Sequence, residues 1–230
     1  GREYVGKLAA SLDDIRLATP VRQLRRTAAG VQLHTDMAVE HYDQVILACH
    51  SDQALAILGA SASAAERRLL GAIRYAANRA VLHTDEALLP RSPALWSAWN
   101  YLASSQELDQ RPVSVSYLIN RLQPLPFKTP LLVSLNPQRV PRGERMIAEF
   151  DYEHPIFDAA AIAAQRELPT ISGSSGVWYC GAWNGYGFHE DGLKSALQVA
   201  NALGCHAPWQ GRDAPVTTAA ALGRLTELAA

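Results

Sequence analysis

The sequence predicts a mixed α/β (α+β) fold, with part of a helix-covered sheet joined to an antiparallel sheet. Three observations carry that expectation. The apolar run Val177–Cys180 stops at Gly181, a loop rich in Gly and aromatic residues follows, and Glu190, Asp191 and Gly192 open a helix whose Leu193, Ala196, Leu197, Ala200 and Leu203 fall at helical spacing. Val45–Ala48 is an unbroken apolar run, as expected of a strand covered on both faces. Beyond Arg74, strand-like segments succeed one another with few helices between them, and prolines punctuate the connections.

Along the chain, Leu8, Leu12 and Ile15 share a face, so Leu8–Leu12 reads as a helix tail or loop, and Ile15–Leu17 as a short strand candidate. Thr19–Leu24 begins a strand, Ala28–Gly30 turns, and Gly30–Thr35 alternates apolar and polar residues as a second strand. Glu40–Leu47 supplies a third. His50–Asp52 caps a helix over Gln53–Leu58, and Ser63–Leu70 forms another. Tyr75–His83, Val113–Arg121, Leu131–Leu135 and Arg145–Phe150 are the expected strands of the antiparallel region. Pro124, Pro126 and Pro130 break one of its connections, and Pro137 and Pro141 another. Phe157–Glu167 is a helix running into Pro169, Ser172–Gly176 is a turn, and Pro215–Ala230 is a surface helix.

Composition narrows the function classes. A 230-residue chain can bury a real core, and its 48% hydrophobic content excludes broad disorder. A net charge of −1 leaves no footprint for nucleic acid or an anionic membrane. No apolar run approaches the roughly 20 residues of a membrane span, and no signal peptide is visible. Cys49, Cys180 and Cys205 form no C-x-x-C pattern, which argues against a disulfide framework or structural zinc and for a reducing compartment. Cys49 and Cys180 read as small buried hydrophobes at strand ends. His189-Glu190-Asp191 lacks the paired histidines of a zinc helix, and no G-x-S-x-G elbow supports hydrolase chemistry.

A strand that ends in glycine and feeds a helix start offers free backbone N–H groups and the positive end of a helix dipole. Such a place suits a phosphate or a negatively polarised ligand edge. The segment Trp178–Leu203, WYCGAWNGYGFHEDGLKSALQVANAL, resembles the carboxy-terminal flavin-contacting segment of the flavin-containing amine oxidase superfamily. It resembles more closely a bacterial branch of FAD-dependent oxidoreductases known as predicted NAD/FAD-binding proteins. Tyr42–Leu58 (YDQVILACHSDQALAIL) and Ser116–His154, with SYLINRLQPL, LLVSLNP and FDYEHPIFD, extend the resemblance over nearly the whole chain but only the later part of the family's length.

The resemblance implies residues 1–73 as the second part of an FAD-binding domain, 74–168 as a substrate-type antiparallel sheet domain, and 169–230 as the carboxy-terminal FAD-binding segment with helices. The fold expected is therefore the remainder of an FAD-binding sheet plus a substrate-domain sheet. By the same resemblance, the Val21 backbone meets the adenine, against an ordinary edge hairpin as the alternative. Gly181 and Ala182 lie at the ribityl-phosphate, and Asp191, Gly192 and Leu193 aim N–H groups at the flavin N1/O2 edge. Trp183, Tyr186 and Phe188 wall the substrate site. The G-x-G-x-x-G turn that opens such proteins is not found here, so the chain reads as a fragment. FAD is then the cofactor of the complete protein, with its occupancy in the fragment left open and the fragment itself expected to be inactive.

Expected partners are a small-molecule substrate, the missing amino-terminal segment of the same protein, and a second copy in a homo-oligomer; the expected location is cytoplasmic. Two departures bear on amine oxidation. Ala182 stands where many members carry an acidic residue, and Asn78–His83 contains no lysine to hold a water near flavin N5. No base is assigned; His83, His154 and His189 are the candidates because imidazole titrates near neutrality. The activity implied is hydride transfer from an organic substrate to flavin. The rival is a non-catalytic remnant that binds a ligand or partner and holds no flavin.

Overall fold

The computed structural model describes residues 2–101, 114–207 and 209. It has a mixed α/β fold, with six α-helices and three sheets among the described residues. The chain divides into two compact units: one holds the residues up to Arg74 and from Pro155 onward, the other Tyr75–His154.

The first unit begins with α1 (Arg2–Ala9), followed by an antiparallel meander of β1 (Val21–Thr27), β2 (Gly30–Thr35) and β3 (Val39–Tyr42). Thr27 closes the first turn: its hydroxyl accepts from Ala29 N–H at 3.3 Å and donates to the Gly30 carbonyl at 3.1 Å. Leu24 pairs with Leu33, and Leu24 and Val31 are buried against the helices. The chain then enters a separate two-stranded parallel sheet, β4 (Val45–Leu47) beside β10 (Val177–Tyr179). Four helices accompany these sheets: α2 (Ser51–Leu58), α3 (Ala64–Gly71), α5 (Ala159–Glu167) and α6 (His189–Ala202). The start of α3 is a capping box, in which Ser63 Oγ accepts from Glu66 N–H at 3.1 Å and the Glu66 carboxylate accepts from Ser63 N–H at 2.7 Å. The cap of α5 is simpler, with Asp158 accepting from Ala161 N–H at 2.8 Å.

Glu66 also ties three elements together. It is 2% exposed and receives Tyr179 Oη of β10 at 2.6 Å and Arg26 Nη2 of β1 at 2.5 Å. Burial works against its charge, but the Tyr179 hydroxyl, the Ser63 amide and the Arg26 guanidinium outweigh it and hold the carboxyl below its ordinary range.

The second unit is a five-stranded antiparallel sheet in the order β6-β7-β8-β5-β9, formed by β5 (Arg74–His83), β6 (Trp99–Tyr101), β7 (Val115–Leu118), β8 (Leu132–Leu135) and β9 (Met146–Ile156). A single turn, α4 (Ile119–Leu122), follows β7. Leu118 and Leu132 pack with Leu89 and Trp96 from the segment that crosses one face of the sheet. Beside them runs a buried polar row, with His83 Nε2 2.8 Å from Ser134 Oγ, and Ser134 Oγ 2.6 Å from Ser116 Oγ. Asp85, fully buried, is met by Arg142 through its backbone amide at 3.0 Å and its guanidinium at 3.1 Å.

Several expectations change. The Glu40–Leu47 strand splits at Asp43–Gln44 into β3 and β4, which belong to different sheets. Ile46 in β4 is 46% exposed, so the apolar run is covered on one face only. Ile15–Leu17 forms no strand, and the first strand starts at Val21. The Val113–Arg121 strand ends at Leu118, where the backbone coils into α4. The Arg145–Phe150 strand instead runs on to Ile156 at the sheet's edge, a place that tolerates Pro155. Helix α6 starts at His189 and buries Ser195 and Val199, while Leu193 of the predicted apolar stripe is 44% exposed. The predicted tail helix Pro215–Ala230 lies outside the described residues.

Candidate functional site

The turn between β10 and α6 is fixed from three directions. The Cys180 amide makes the last rung to β4, donating to the Leu47 carbonyl at 3.2 Å. Gly181 then adopts φ +152°, and a Cβ there would stand 2.6 Å from Trp183 Nε1. Only glycine gives the indole that seat. Ser195, in the second turn of α6, accepts from Gly181 N–H at 2.9 Å. Gln165 of α5 donates to the Trp183 carbonyl at 2.9 Å and the Gly185 carbonyl at 2.7 Å. The Asp191 carboxylate accepts from Tyr186 N–H and Phe188 N–H, both at 3.0 Å. A Cβ on Gly185 would collide with that carboxylate at 2.5 Å.

These braces sort the aromatic residues. Trp183 is 3% exposed and donates Nε1–H to the Cys49 carbonyl at 2.9 Å, so it is a strut inside the fold and presents no ring face outward. Tyr186 and Phe188 are 66% and 62% exposed. The Tyr186 ring meets Phe157 edge-on at 6.1 Å.

Gly181, Ala182, Gly192 and the start of α6 come together: a Cβ on Gly192 would lie 3.6 Å from the Ala182 nitrogen, in ordinary contact. The amides of Asp191 and Gly192 are taken by the Phe188 carbonyl at 3.0 and 3.2 Å. Leu193 sits one residue further along the helix and turns its side chain outward. The amides of His189 and Glu190 have no partner among the described residues, and the positive end of the α6 dipole adds to them. Val21 opens β1 in a different sheet and shares no hydrogen bond with this turn among the described residues.

The titratable groups nearby carry no activated nucleophile. Burial pushes both the Cys49 and Cys180 thiols up, away from thiolate. In the second unit His83 is buried, and its Nδ1 accepts the Asp85 amide at 3.1 Å while Nε2 faces Ser134. Both ring nitrogens are engaged, so His83 has no nitrogen left for a substrate. Among the described residues no group of three or more His, Cys, Asp or Glu could hold a metal ion, and no helix is long and apolar enough to cross a membrane.

Two residues of the turn escape a reading by motif. Ser195 left a trace, a small hydroxyl within an otherwise apolar helix pattern, three residues past Gly192. Gln165 left none, since it sits in an Ala-rich helix remote in sequence from the carbonyls it holds.

No family model and no curated protein matches the chain. Solved structures do resemble it. A crystal structure of a fatty acid isomerase from P. acnes, which produces CLA, superposes with a TM-score of 0.61 at 13% identity, over 86% of this chain and 50% of the other. A protein from Exiguobacterium sp. 255-15, provisionally named a protoporphyrinogen oxidase, gives a TM-score of 0.60 at 14% identity, over 88% of this chain and 50% of the other. The chain thus spans about half the length of these structures and shares their fold.

Proposed function

We propose that this chain supplies the flavin-edge and substrate-sheet portions of an FAD-dependent oxidoreductase of amine-oxidase-like fold. The observation that carries the reading is the rigid Gly181–Gly192 turn, which leaves the amides of His189 and Glu190 unpartnered at the start of α6. The residues present suit a flavin. The notch between Ala182 and Gly192 is one that a larger side chain would fill, and an exposed aromatic pair stands beside it. The fold shared with a protein that carries an oxidase name supports the same reading.

In this reading Gly181 and Ala182 let the backbone approach the ribityl-phosphate, and the first turn of α6 packs against the pyrimidine edge of the ring at Asp191, Gly192 and Leu193, although the Asp191 and Gly192 amides are already bonded to the Phe188 carbonyl. The free amides of His189 and Glu190 stabilise negative charge there. Val21 takes the adenine. Tyr186 and Phe188 exclude water from the reacting side. Residues 75–154 carry the substrate. When bound, FAD accepts a hydride from a carbon of the organic substrate.

The test is titration of FAD into the protein, followed by quenching of flavin fluorescence. Saturable quenching is expected, weakened by about tenfold in Gly192→Leu, whose side chain fills the notch. Absence of quenching in the unaltered protein overturns flavin binding by this chain and favours the non-catalytic reading. Equal affinity in the variant overturns the assignment of the turn.

A further inference from the structure

The turn that follows β5 clasps the connection into β9, and the clasp meets the His83 ring. The Asp85 carboxylate accepts from the Arg142 amide at 3.0 Å, the Arg142 guanidinium at 3.1 and 3.3 Å, and the Ala87 amide at 3.2 Å. One residue back, Thr84 N–H donates to the Arg145 carbonyl at 2.9 Å. Asp85 thereby pins two segments at once. One is the crossing stretch that begins with Glu86–Leu88 and carries Leu89 and Trp96 onto the sheet. The other is the Arg142–Arg145 approach to β9.

The neighbours of His83 dictate where its proton sits. A backbone N–H can only donate, so the Asp85 amide at 3.1 Å makes Nδ1 the acceptor and leaves the ring proton on Nε2. Nε2–H then donates to Ser134 Oγ at 2.8 Å. A second proton has one place to go, Nδ1, where it would face the Asp85 N–H with no lone pair between them. The ring is fully buried, so water offers that proton no acceptor. The carboxylate of Asp85 could accept it, but that group is held by Arg142 and forms no ion pair with His83 among the described residues.

We infer that His83 is a proton-operated latch: a proton taken at Nδ1 expels the Asp85 amide, draws the Asp85 carboxylate off Arg142, and releases the Arg142–Arg145 approach to β9. Few groups bear on the ring. Ser134 of β8 and Ser116 of β7 stay neutral, and Asp85 faces it from the turn after β5. Behind Asp85 stand Arg142 and, 3.9 Å from its Nε, Glu144; Glu86 and Arg145 lie on the same segments and are exposed. Burial opposes the Asp85 charge, but Arg142 and the backbone amides outweigh it and hold the carboxyl well below its ordinary range, so Asp85 stays ionised in mild acid. Burial also lowers the His83 pKa from 6.5, against the pull of Asp85. The clasped form therefore refuses a proton that the opened form accepts, and opening gains as pH falls below 6.5. The latch needs neither flavin nor the oxidoreductase reading.

The experiment follows hydrogen exchange in the whole chain at pH 7 and pH 5, each rate divided by that of an unstructured peptide at the same pH. Protection over residues 142–146 is expected to fall about tenfold at pH 5, while that of α5 changes less than about twofold. In His83→Gln the amide can accept from Asp85 and donate to Ser134 but takes no proton, so protection over 142–146 is expected to stay within about twofold between the two pH values. Nitrogen NMR of the unaltered protein keeps the test open if that variant does not fold. It is expected to show the Nε2–H ring at pH 7 and a titration that coincides with the loss of protection. The inference is overturned if protection over 142–146 is equal at both pH values, or if His83→Gln loses it as the unaltered protein does. It is equally overturned if α5 loses protection in step, which marks global unfolding, or if the ring carries its proton on Nδ1 at pH 7.

Discussion

The two units each bury a carboxylate paired with an arginine, Glu66 with Arg26 and Asp85 with Arg142, but only the second sets a neutral row beside it. In the first unit the cluster is ionic: Glu66 joins Arg26, Tyr179 and its own helix cap, drawing β1, α3 and β10 into one contact. In the second a neutral row of His83, Ser134 and Ser116 shares hydrogen bonds along one sheet face, and the ion pair of Asp85 with Arg142 adjoins it through the Asp85 amide. A buried charge is costly unless every partner is present, so the ionic cluster specifies where remote segments meet. A neutral row costs less to bury and orients only strands that already pair. The difference follows connectivity. β10 is more than a hundred residues from Glu66 in the chain, whereas β7, β8 and β5 are held by their own ladder.

The sharpest way to break the comparison is to remove the charge. Glu66→Ala leaves the Arg26 guanidinium with only the Ser61 carbonyl and the Tyr179 hydroxyl with no acceptor, and a loss of about 3 kcal/mol is expected in urea unfolding. A loss no larger than that of a surface substitution would show that the cluster is not structural. Gly181→Ala comes next, at about 2–3 kcal/mol, because the new methyl group meets the Trp183 indole at 2.6 Å and φ is unfavourable. Thermal unfolding measures it, and an unchanged midpoint would mean the indole can shift freely. Ser195→Ala leaves the Gly181 amide without its partner and should cost about 1–2 kcal/mol, together with weaker FAD quenching if the turn is the flavin edge.

Acid sharpens the contrast between the clusters. Burial lowers the His83 pKa below its ordinary value of 6.5, although Asp85 opposes the shift. Below pH 6.5 the unfolded chain gains a proton that the folded chain refuses, so the stability contributed is complete above 6.5 and falls as pH drops, by at most about 1.36 kcal/mol per unit. Glu66 has its carboxyl held below the ordinary 4.5, so its contribution is present above that pH and is lost only as pH falls further. Stability measured from pH 7 to 5 should therefore decline in the unaltered protein and stay flatter in His83→Gln; identical slopes would remove His83 from the account. The smallest effect is expected at Arg68→Ala, whose partner Glu167 is also exposed, with no measurable change in the unfolding midpoint.

Local signals made much of the fold legible before any coordinates. The stretch Ser63–Leu70 reads as a helix, observed as Ala64–Gly71, and the alternation of Gly30–Thr35 announced β2 with its observed boundaries. Proline and glycine marked most of the breaks. The three-residue β6 carried too little pattern to be seen, and the α6 stripe misled because Ser195 is buried for its hydrogen bond rather than its hydrophobicity. Candidate residues that adjoin in sequence, Gly181 with Ala182 and Asp191 with Gly192, were found together. Gln165 and the Cys49 carbonyl could not be, because their contacts depend on how α5 and β4 are placed.

The sequence by itself determined most of the strands and helices, because period, caps and turn residues act within a few positions of one another. It also determined that a glycine-rich turn would lead into a helix start. Only the tertiary structure decided that Glu40–Leu47 serves two sheets and that Trp183 is a strut while Tyr186 and Phe188 stand open. Those outcomes depend on register and on contacts between distant residues, whose energies no local window contains.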